Sequence, residues 1–172
     1  MIILGVDPGT RELGYGVLEE SEGKITAKDY GSLSFPSSLP IEERLYQIHS
    51  HILNMVGIFA PNEIAVEEPF LGQGSNQYVG PAFAVGQAQA AVLIAAASQR
   101  VPIFRYPPTQ VKSSITDHGR ASKEQVQNMV QITLGLGKDA TDSLDATDAL
   151  AVALCHLYNR TYTSMLQKRK FD

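Results

Sequence analysis

Four acidic residues have the types and the spacing of a site for a divalent cation: Asp7, Glu67, Asp145 and Asp148. The first two each follow a short apolar run, at 1–6 and 64–66, that has the character of a buried strand. A carboxylate at the end of a buried strand is costly to desolvate unless a cation or hydrogen-bond donors compensate its charge. Oxygen ligands without cysteines or clustered histidines favour magnesium or manganese over zinc. Two such ions would hold the attacking water and the leaving oxygen of a phosphodiester.

Each of the two strand-end acids also has a simpler interpretation. Asp7 opens an Asp-Pro-Gly turn, in which an aspartate commonly caps its own backbone. Glu67 can be a solvated acid at the end of a strand, and the adjacent Glu68 leaves open which of the two points inward. Taken one at a time, these acids therefore leave a structural role as open as a functional one.

The other two acids lie three positions apart in a predicted helix and so share one of its faces. Like charges at that spacing, about 5–6 Å between Cβ atoms, repel each other unless they share a cation. The alternative is a generally acidic helix start, to which Asp139 and Asp142 also belong and which the helix dipole favours. Residues 149–154 are continuously apolar and must be core, so the sequence predicts that these acids lie close to a sheet.

Hydrophobic patterning predicts an α/β fold with a five-stranded mixed sheet and helices on both faces. The predicted strands cover 1–6, 13–18, 24–35, 64–66 and 101–106, and the predicted helices cover 41–60, 81–99, 109–118, 123–134 and 144–158. The first three strands can pair antiparallel, whereas the last two follow helical crossovers and can lie parallel to the first. Ser122 and Gln125 have the spacing of a capping box at the start of the fourth helix. The ends of the first and fourth strands would then bring Asp7 and Glu67 to one edge of the sheet.

The length of 172 residues suits one domain, which we expect at 1–160, followed by a flexible tail at 161–172. One cysteine excludes an internal disulfide and fits a reducing cytosol. We find no signal peptide and no apolar run long enough for a membrane, and expect a soluble, cytoplasmic protein.

The net charge of −4 argues mildly against bulk binding of nucleic acid, but the charge is unevenly distributed. The stretch 100–123 holds a single acid, Asp117, against five bases: Arg100, Arg105, Lys112, Arg120 and Lys123. A basic flank beside an acidic centre is what a metal-dependent phosphodiesterase needs, although a solvated surface can show the same pattern by chance.

The sequence resembles the crossover-junction endodeoxyribonuclease RuvC family, the bacterial Holliday-junction resolvases, over about residues 1–158. The motifs that carry the resemblance are GVDPGTRELGYGV, IAVEEPF, VGQAQA, QVKSSI, SKEQVQNMV and DATDALAVA. The resemblance implies an RNase H-like fold and a homodimer that acts on four-way junction DNA with magnesium, for which manganese can substitute. It also implies paired cuts on two strands of like polarity and a branch-migration complex, RuvAB, as partner.

The resemblance assigns roles to individual residues. The four acids would bind the metal, and Glu67 is selected over Glu68 because the family places its acid three residues before the phenylalanine that here is Phe70. Phe70 would stack on or wedge between unpaired bases, for which the alternative is an ordinary core phenylalanine. Lys112 and Lys123 match basic residues near the scissile phosphate and would neutralise transition-state charge or hold phosphates. Arg120 is a further candidate for contact with DNA.

The sequence also departs from the family pattern. The loop 71–80 is longer than expected and carries no lysine or arginine, and Gln89 and Ala90 stand where the family commonly has a basic residue and a glycine. These differences leave the cleavage chemistry in place but leave junction affinity and the preferred cleavage sequence open. The alanine-rich helix 81–99 is apolar on so many sides that it is a candidate for the dimer interface, and full burial within the monomer is the alternative.

Three other functions compete with junction resolution. Asp7-Pro8-Gly9-Thr10 also resembles the phosphate-binding opening of sugar kinases and actin-like ATPases, but those need a second lobe and an adenosine site. A small nuclease of the same fold that processes ribosomal RNA precursors is the second, and the DATDAL motif and the basic stretch match it less well. The third is a non-catalytic module that recognises junctions by shape, against which the presence of all four acids argues.

Overall fold

The computed structural model describes residues 1–69, 79–137 and 143–168, and the side chains of 79, 81 and 163–168 are not described. Three of the predicted features lie outside the described residues: Phe70, most of the loop 71–80, and the upstream acids Asp139 and Asp142. Among the described residues, no helix is long and apolar enough to cross a membrane.

The structure contains five strands and five helices within the described residues, in the predicted order. The strands are β1 (Ile2–Asp7), β2 (Glu12–Ser21), β3 (Lys24–Ser34), β4 (Glu63–Glu67) and β5 (Ile103–Tyr106). The helices are α1 (Ile41–Phe59), α2 (Val79–Ser98), α3 (Pro108–Thr116), α4 (Lys123–Leu134) and α5 (Leu144–Lys168). The sheet order is β3-β2-β1-β4-β5. Strands β1, β2 and β3 pair antiparallel, and β4 and β5 run parallel to β1, which confirms the predicted mixed sheet.

Helices cover both faces of the sheet, as predicted. Along β1 the side chains alternate, so that Ile3 packs in a core with α3, α4 and α5, whereas Leu4 and Val6 pack in a second core with α1 and α2. Successive side chains of a strand point to opposite faces, and both faces of this strand are therefore covered. The ends of the central strands are consequently the places where polar groups can gather beside buried structure.

The start of α4 confirms the predicted capping box. The Ser122 hydroxyl accepts a hydrogen bond from the backbone N–H of Gln125, and the Gln125 side chain accepts one from the backbone N–H of Ser122. These reciprocal bonds satisfy two backbone donors at the end of the helix. They also fix the position of Lys123, the first residue of this helix.

The last helix is longer than predicted, because α5 continues to Lys168 and does not end at Tyr158. Residues 161–168, which were expected to belong to a C-terminal tail, are helical, while 169–172 lie outside the described residues. The prediction stopped where the apolar run ends. The helix continues because polar residues also hold it: Arg160 binds Glu63, and the Thr161 hydroxyl donates to the carbonyl of Leu157.

Candidate metal and nucleic-acid site

The register of the sheet places two of the predicted acids side by side. Val6 of β1 pairs with Val66 of β4 in parallel, so the next residue of each strand, Asp7 and Glu67, lies at the same edge. Glu67 lines a cavity together with Asp7, whereas the neighbouring Glu68 lies at the surface, 4.0 Å from Arg105. The side chain that points into the cavity is therefore that of Glu67.

The start of α5 reaches this edge because glycines let the helix lie directly on the sheet. A Cβ atom at Gly14, which pairs with Asp7, would be only 2.0 Å from the backbone oxygen of Asp145. A Cβ atom at Gly5 would likewise be 2.2 Å from the backbone oxygen of Ala149. Only a residue without a side chain allows an approach this close. The helix therefore presents Asp145 of its first turn, and Asp148 three residues later, directly above the ends of the strands.

Three carboxylates meet at this point. One carboxylate oxygen from each of Asp7, Asp145 and Asp148 lies within 4.8 Å of the others. Glu67 is not part of that close group, but it shares a cavity of about 160 Å³ with Asp7 and Asp148. The structure therefore brings Asp7, Asp145 and Asp148 close together and places Glu67 beside Asp7 and Asp148, while the role of the four acids stays a prediction.

Burial and the mutual repulsion of the acids strongly raise their pKa values. Burial, together with the charges of Asp148 and Asp145, raises the pKa of Asp7 from 3.8 to about 7. Burial and the charge of Asp7 raise the pKa of Glu67 from 4.5 to about 8. The pKa of Asp145 is also raised, by burial and by a hydrogen bond to Glu12. Without a cation, the protein therefore resists ionisation of these carboxyl groups near neutral pH.

Two lysines lie beside the carboxylates. Lys123 Nζ is 3.0 Å from Asp148 Oδ2, and this hydrogen bond raises the pKa of Lys123. Lys112 on α3 lines the same cavity as Glu67. Arg120 is exposed in the segment before α4 and is not among the residues that line this cavity. The structure thus brings both lysines to the acids and leaves Arg120 at the surface.

Two further residues of the site were not predicted from the sequence. Gln89, which departs from the family pattern, is buried. Its Nε2 atom donates a hydrogen bond to the backbone carbonyl of Glu67 at 3.2 Å. Burial raises the pKa of Asp145, and Glu12, the first residue of β2, raises it further. The signal for Glu12 was its place near the start of the second strand, two residues before the glycine that faces Asp7.

The residues present fit a hard divalent cation. The donor set consists of carboxylate oxygens alone, and the three closest are near enough to one another to bind a single ion. The raised pKa values of Asp7 and Glu67 show that negative charge here is poorly compensated by the protein itself. A bound cation would supply the missing positive charge.

The fold and the site define a class, the RNase H-like proteins with an acidic site at the ends of the central strands. The family model for the crossover junction endodeoxyribonuclease RuvC matches residues 3–156. The chain belongs to this family. A crossover junction endodeoxyribonuclease RuvC from Dehalococcoides mccartyi is 39% identical over 168 residues, which cover 98% of each chain.

Solved structures agree with this assignment. The RuvC structure from Thermus thermophilus has 37% sequence identity and a TM-score of 0.82, and the match covers 95% of this chain and 97% of the other. The same bacterium's RuvC in complex with a Holliday junction substrate has 36% identity and a TM-score of 0.82, with 93% and 94% of the two chains covered. The RNase H-like fold expected from the sequence is thereby confirmed.

Proposed function

We propose that this chain is a magnesium-dependent endodeoxyribonuclease that resolves four-way DNA junctions by paired cuts on two strands of like polarity. The observation that carries the proposal is the meeting of Asp7, Asp145 and Asp148 within 4.8 Å, in a chain of the RuvC family. We propose that residues 1–160 form a single nuclease domain and that the protein acts in the cytoplasm.

In the proposed reaction, water attacks the phosphorus and the bond to the 3′ oxygen breaks, so that a nick with a 5′-phosphate and a 3′-hydroxyl remains. Asp7, Glu67, Asp145 and Asp148 would hold one or two magnesium or manganese ions. When bound, such ions activate the water and stabilise the leaving oxygen. The half-buried positions of Asp7 and Glu67 support this assignment, because a charge that is partly shielded from water interacts strongly with a cation.

The lysines act on the phosphate. Lys123 and Lys112 lie beside the acids, where an ammonium group can neutralise charge that develops on the phosphate in the transition state. The bond from Lys123 to Asp148 also fixes the lysine on the side of the site where α4 begins. We keep Phe70 as the residue that stacks on unpaired bases and Arg120 as an outer contact with DNA, both from the family resemblance.

Paired cuts require two sites, and we propose that a homodimer supplies them. Helix α2 buries Ala88, Val92 and Ala96 against the monomer but leaves Phe83 and Ile94 exposed by 68% and 62%. Full burial of this helix within the monomer is therefore wrong. Exposed apolar residues on a helix are a common mark of an interface, and we place the dimer contact here. A branch-migration complex, RuvAB, remains the proposed partner.

The test is cleavage of a labelled mobile four-way junction beside a linear duplex of the same sequence, with and without magnesium. We expect symmetric nicks in the junction only, which require the metal and disappear in Asp145→Asn. The same variant should still bind the junction, because removal of a negative charge weakens repulsion of the phosphates. If the protein instead cuts linear DNA or RNA, its function is that of a related nuclease and not that of a junction resolvase. Loss of binding together with cutting would make the acids structural.

A further inference from the structure

Gln89 is a buried polar residue of α2 that reaches the end of β4 beside the site. Its amide nitrogen Nε2 lies 3.2 Å from the backbone oxygen of Glu67, to which it donates a hydrogen bond. Ala88 and Val92 of the same helix are fully buried, in the core that also contains Val66 of β4. The packing of α2 in this core therefore fixes where the Gln89 amide lies.

The carbonyl group of Glu67 points toward β1 and away from β5. The N–H group of Glu68 donates to the carbonyl of Tyr106 in β5 at 2.9 Å. This N–H group and the carbonyl group of Glu67 belong to one peptide unit, and a trans peptide directs the two groups to opposite sides. The carbonyl group of Glu67 therefore needs its donor from the side of β1.

The chain of β1 cannot supply that donor, because the residue in the required place is a proline. The parallel register of β1 and β4, extended by one residue, puts Asp7 beside Glu67. In a parallel pair, such a carbonyl bonds to the N–H group one residue beyond its partner, which here is Pro8. Proline has no N–H group. The side chain of Gln89 thus donates, from a helix, the hydrogen bond that the sheet cannot provide.

We propose that Gln89 is a positioning residue, which holds the end of β4 so that the carboxylate of Glu67 faces the ion site. The inference rests on the proposed function, since it takes Glu67 as a ligand of the ion. A backbone carbonyl without a donor turns toward water, and the side chain of its residue moves with it. Glu67 lies outside the close group of three carboxylates, so a small shift of its backbone decides whether it reaches a shared ion.

The first test is nuclear magnetic resonance of the metal-free protein, because the chemical shift of a carbonyl carbon changes when its hydrogen bond is lost. Gln89→Met keeps a side chain of similar length but has no N–H donor, so we expect the carbonyl carbon of Glu67 to move upfield. Gln99→Met is the matched control, because it makes the same change at an exposed residue directly after α2. We expect the control to leave the Glu67 signal in place.

The second test is titration of the metal-free protein with Mn²⁺, followed by electron paramagnetic resonance of the free ion. We expect Gln89→Met to weaken Mn²⁺ binding by about tenfold, the lower end of the range for loss of a group that supports a metal ligand. Gln89→Asn keeps the amide on a side chain one carbon shorter and should weaken binding in the same way, so it replaces Gln89→Met if that variant does not fold. Gln99→Met should bind Mn²⁺ as the unmodified protein does.

Urea denaturation in the presence of a chelator separates a role in positioning from a role in folding. Both tests are made under conditions in which each variant is fully folded, so a loss of stability alone leaves the Mn²⁺ affinity unchanged. Equal Mn²⁺ affinities for the Gln89 variants and Gln99→Met would overturn the inference, as would an unmoved Glu67 carbonyl signal in Gln89→Met. Absence of Mn²⁺ binding by the unmodified protein would instead refute the proposed function.

Discussion

The metal-free protein should lose stability as the pH rises through neutrality, because two of its carboxyl groups ionise less readily in the folded state. Asp7 has a pKa of about 7 when folded against 3.8 as a free side chain, and Glu67 has one of about 8 against 4.5. The folded protein therefore binds more protons than the unfolded chain between these values. Stability from these groups is fully present below about pH 4 and is lost as the pH rises through the folded pKa values.

The size of this effect follows from the shift at Asp7. About three pKa units, at roughly 1.4 kcal/mol for each unit, correspond to about 4 kcal/mol. Asp7→Asn cannot ionise and also removes the charge that helps to raise the pKa of Glu67. The difference in unfolding free energy between this variant and the unmodified protein should therefore grow from about pH 4 to about pH 7 and reach about 4 kcal/mol in favour of the variant.

The assay is urea denaturation in the presence of a chelator, at a series of pH values from about 4 to about 9. Glu22→Gln, which removes an exposed acid from the turn between β2 and β3, serves as the control and should follow the unmodified protein. Addition of magnesium should stabilise the unmodified protein most at high pH, where the acids are ready to bind it. Parallel curves for Asp7→Asn and the unmodified protein would refute the argument from burial and repulsion.

Three further predictions concern the residues around the site. Lys123→Ala should lower the single-turnover rate of junction cleavage by about a hundredfold, because a group that stabilises transition-state charge is lost; an unchanged rate would exclude that role. Gly14→Ala should weaken Mn²⁺ binding, because the new Cβ atom would lie 2.0 Å from the backbone oxygen of Asp145. Gly57→Ala in α1 is the control: its Cβ atom would meet open space, and the variant should raise the free energy of unfolding by about 0.5–1 kcal/mol. His156→Ala should reduce the free energy of unfolding in urea by about 3 kcal/mol and leave the Mn²⁺ affinity unchanged. The buried His156 ring bonds to two partners at 2.6 Å, from Nε2 to the half-buried carboxylate of Glu63 and from Nδ1 to the hydroxyl of the buried Tyr106.

The positions of the acids could be predicted because strand ends and helix starts are visible in a sequence. The apolar runs before Asp7 and Glu67 define where two strands stop, and parallel pairing then brings their ends together. The spacing of Asp145 and Asp148 defines one helical face. The sheet order and the helices on both faces followed from the same patterns.

What could not be predicted depends on contacts between residues distant in sequence. Nothing in the sequence indicates that the backbone of Asp145 lies against Gly14. Nor does the sequence indicate that the Gln89 side chain donates a hydrogen bond to the backbone carbonyl of Glu67. The helical residues 159–168 were missed because they lie beyond the apolar run, and the bond from Arg160 to Glu63 joins residues far apart in the chain.

The most direct test of the central claim is to locate the ion. Crystals grown with Mn²⁺ should give an anomalous difference peak in contact with the carboxylate of Asp7 and with that of Asp145 or Asp148. Crystals of Asp7→Asn grown in the same way should lack that peak. A Mn²⁺ peak elsewhere on the protein, with none at these carboxylates, would contradict the account.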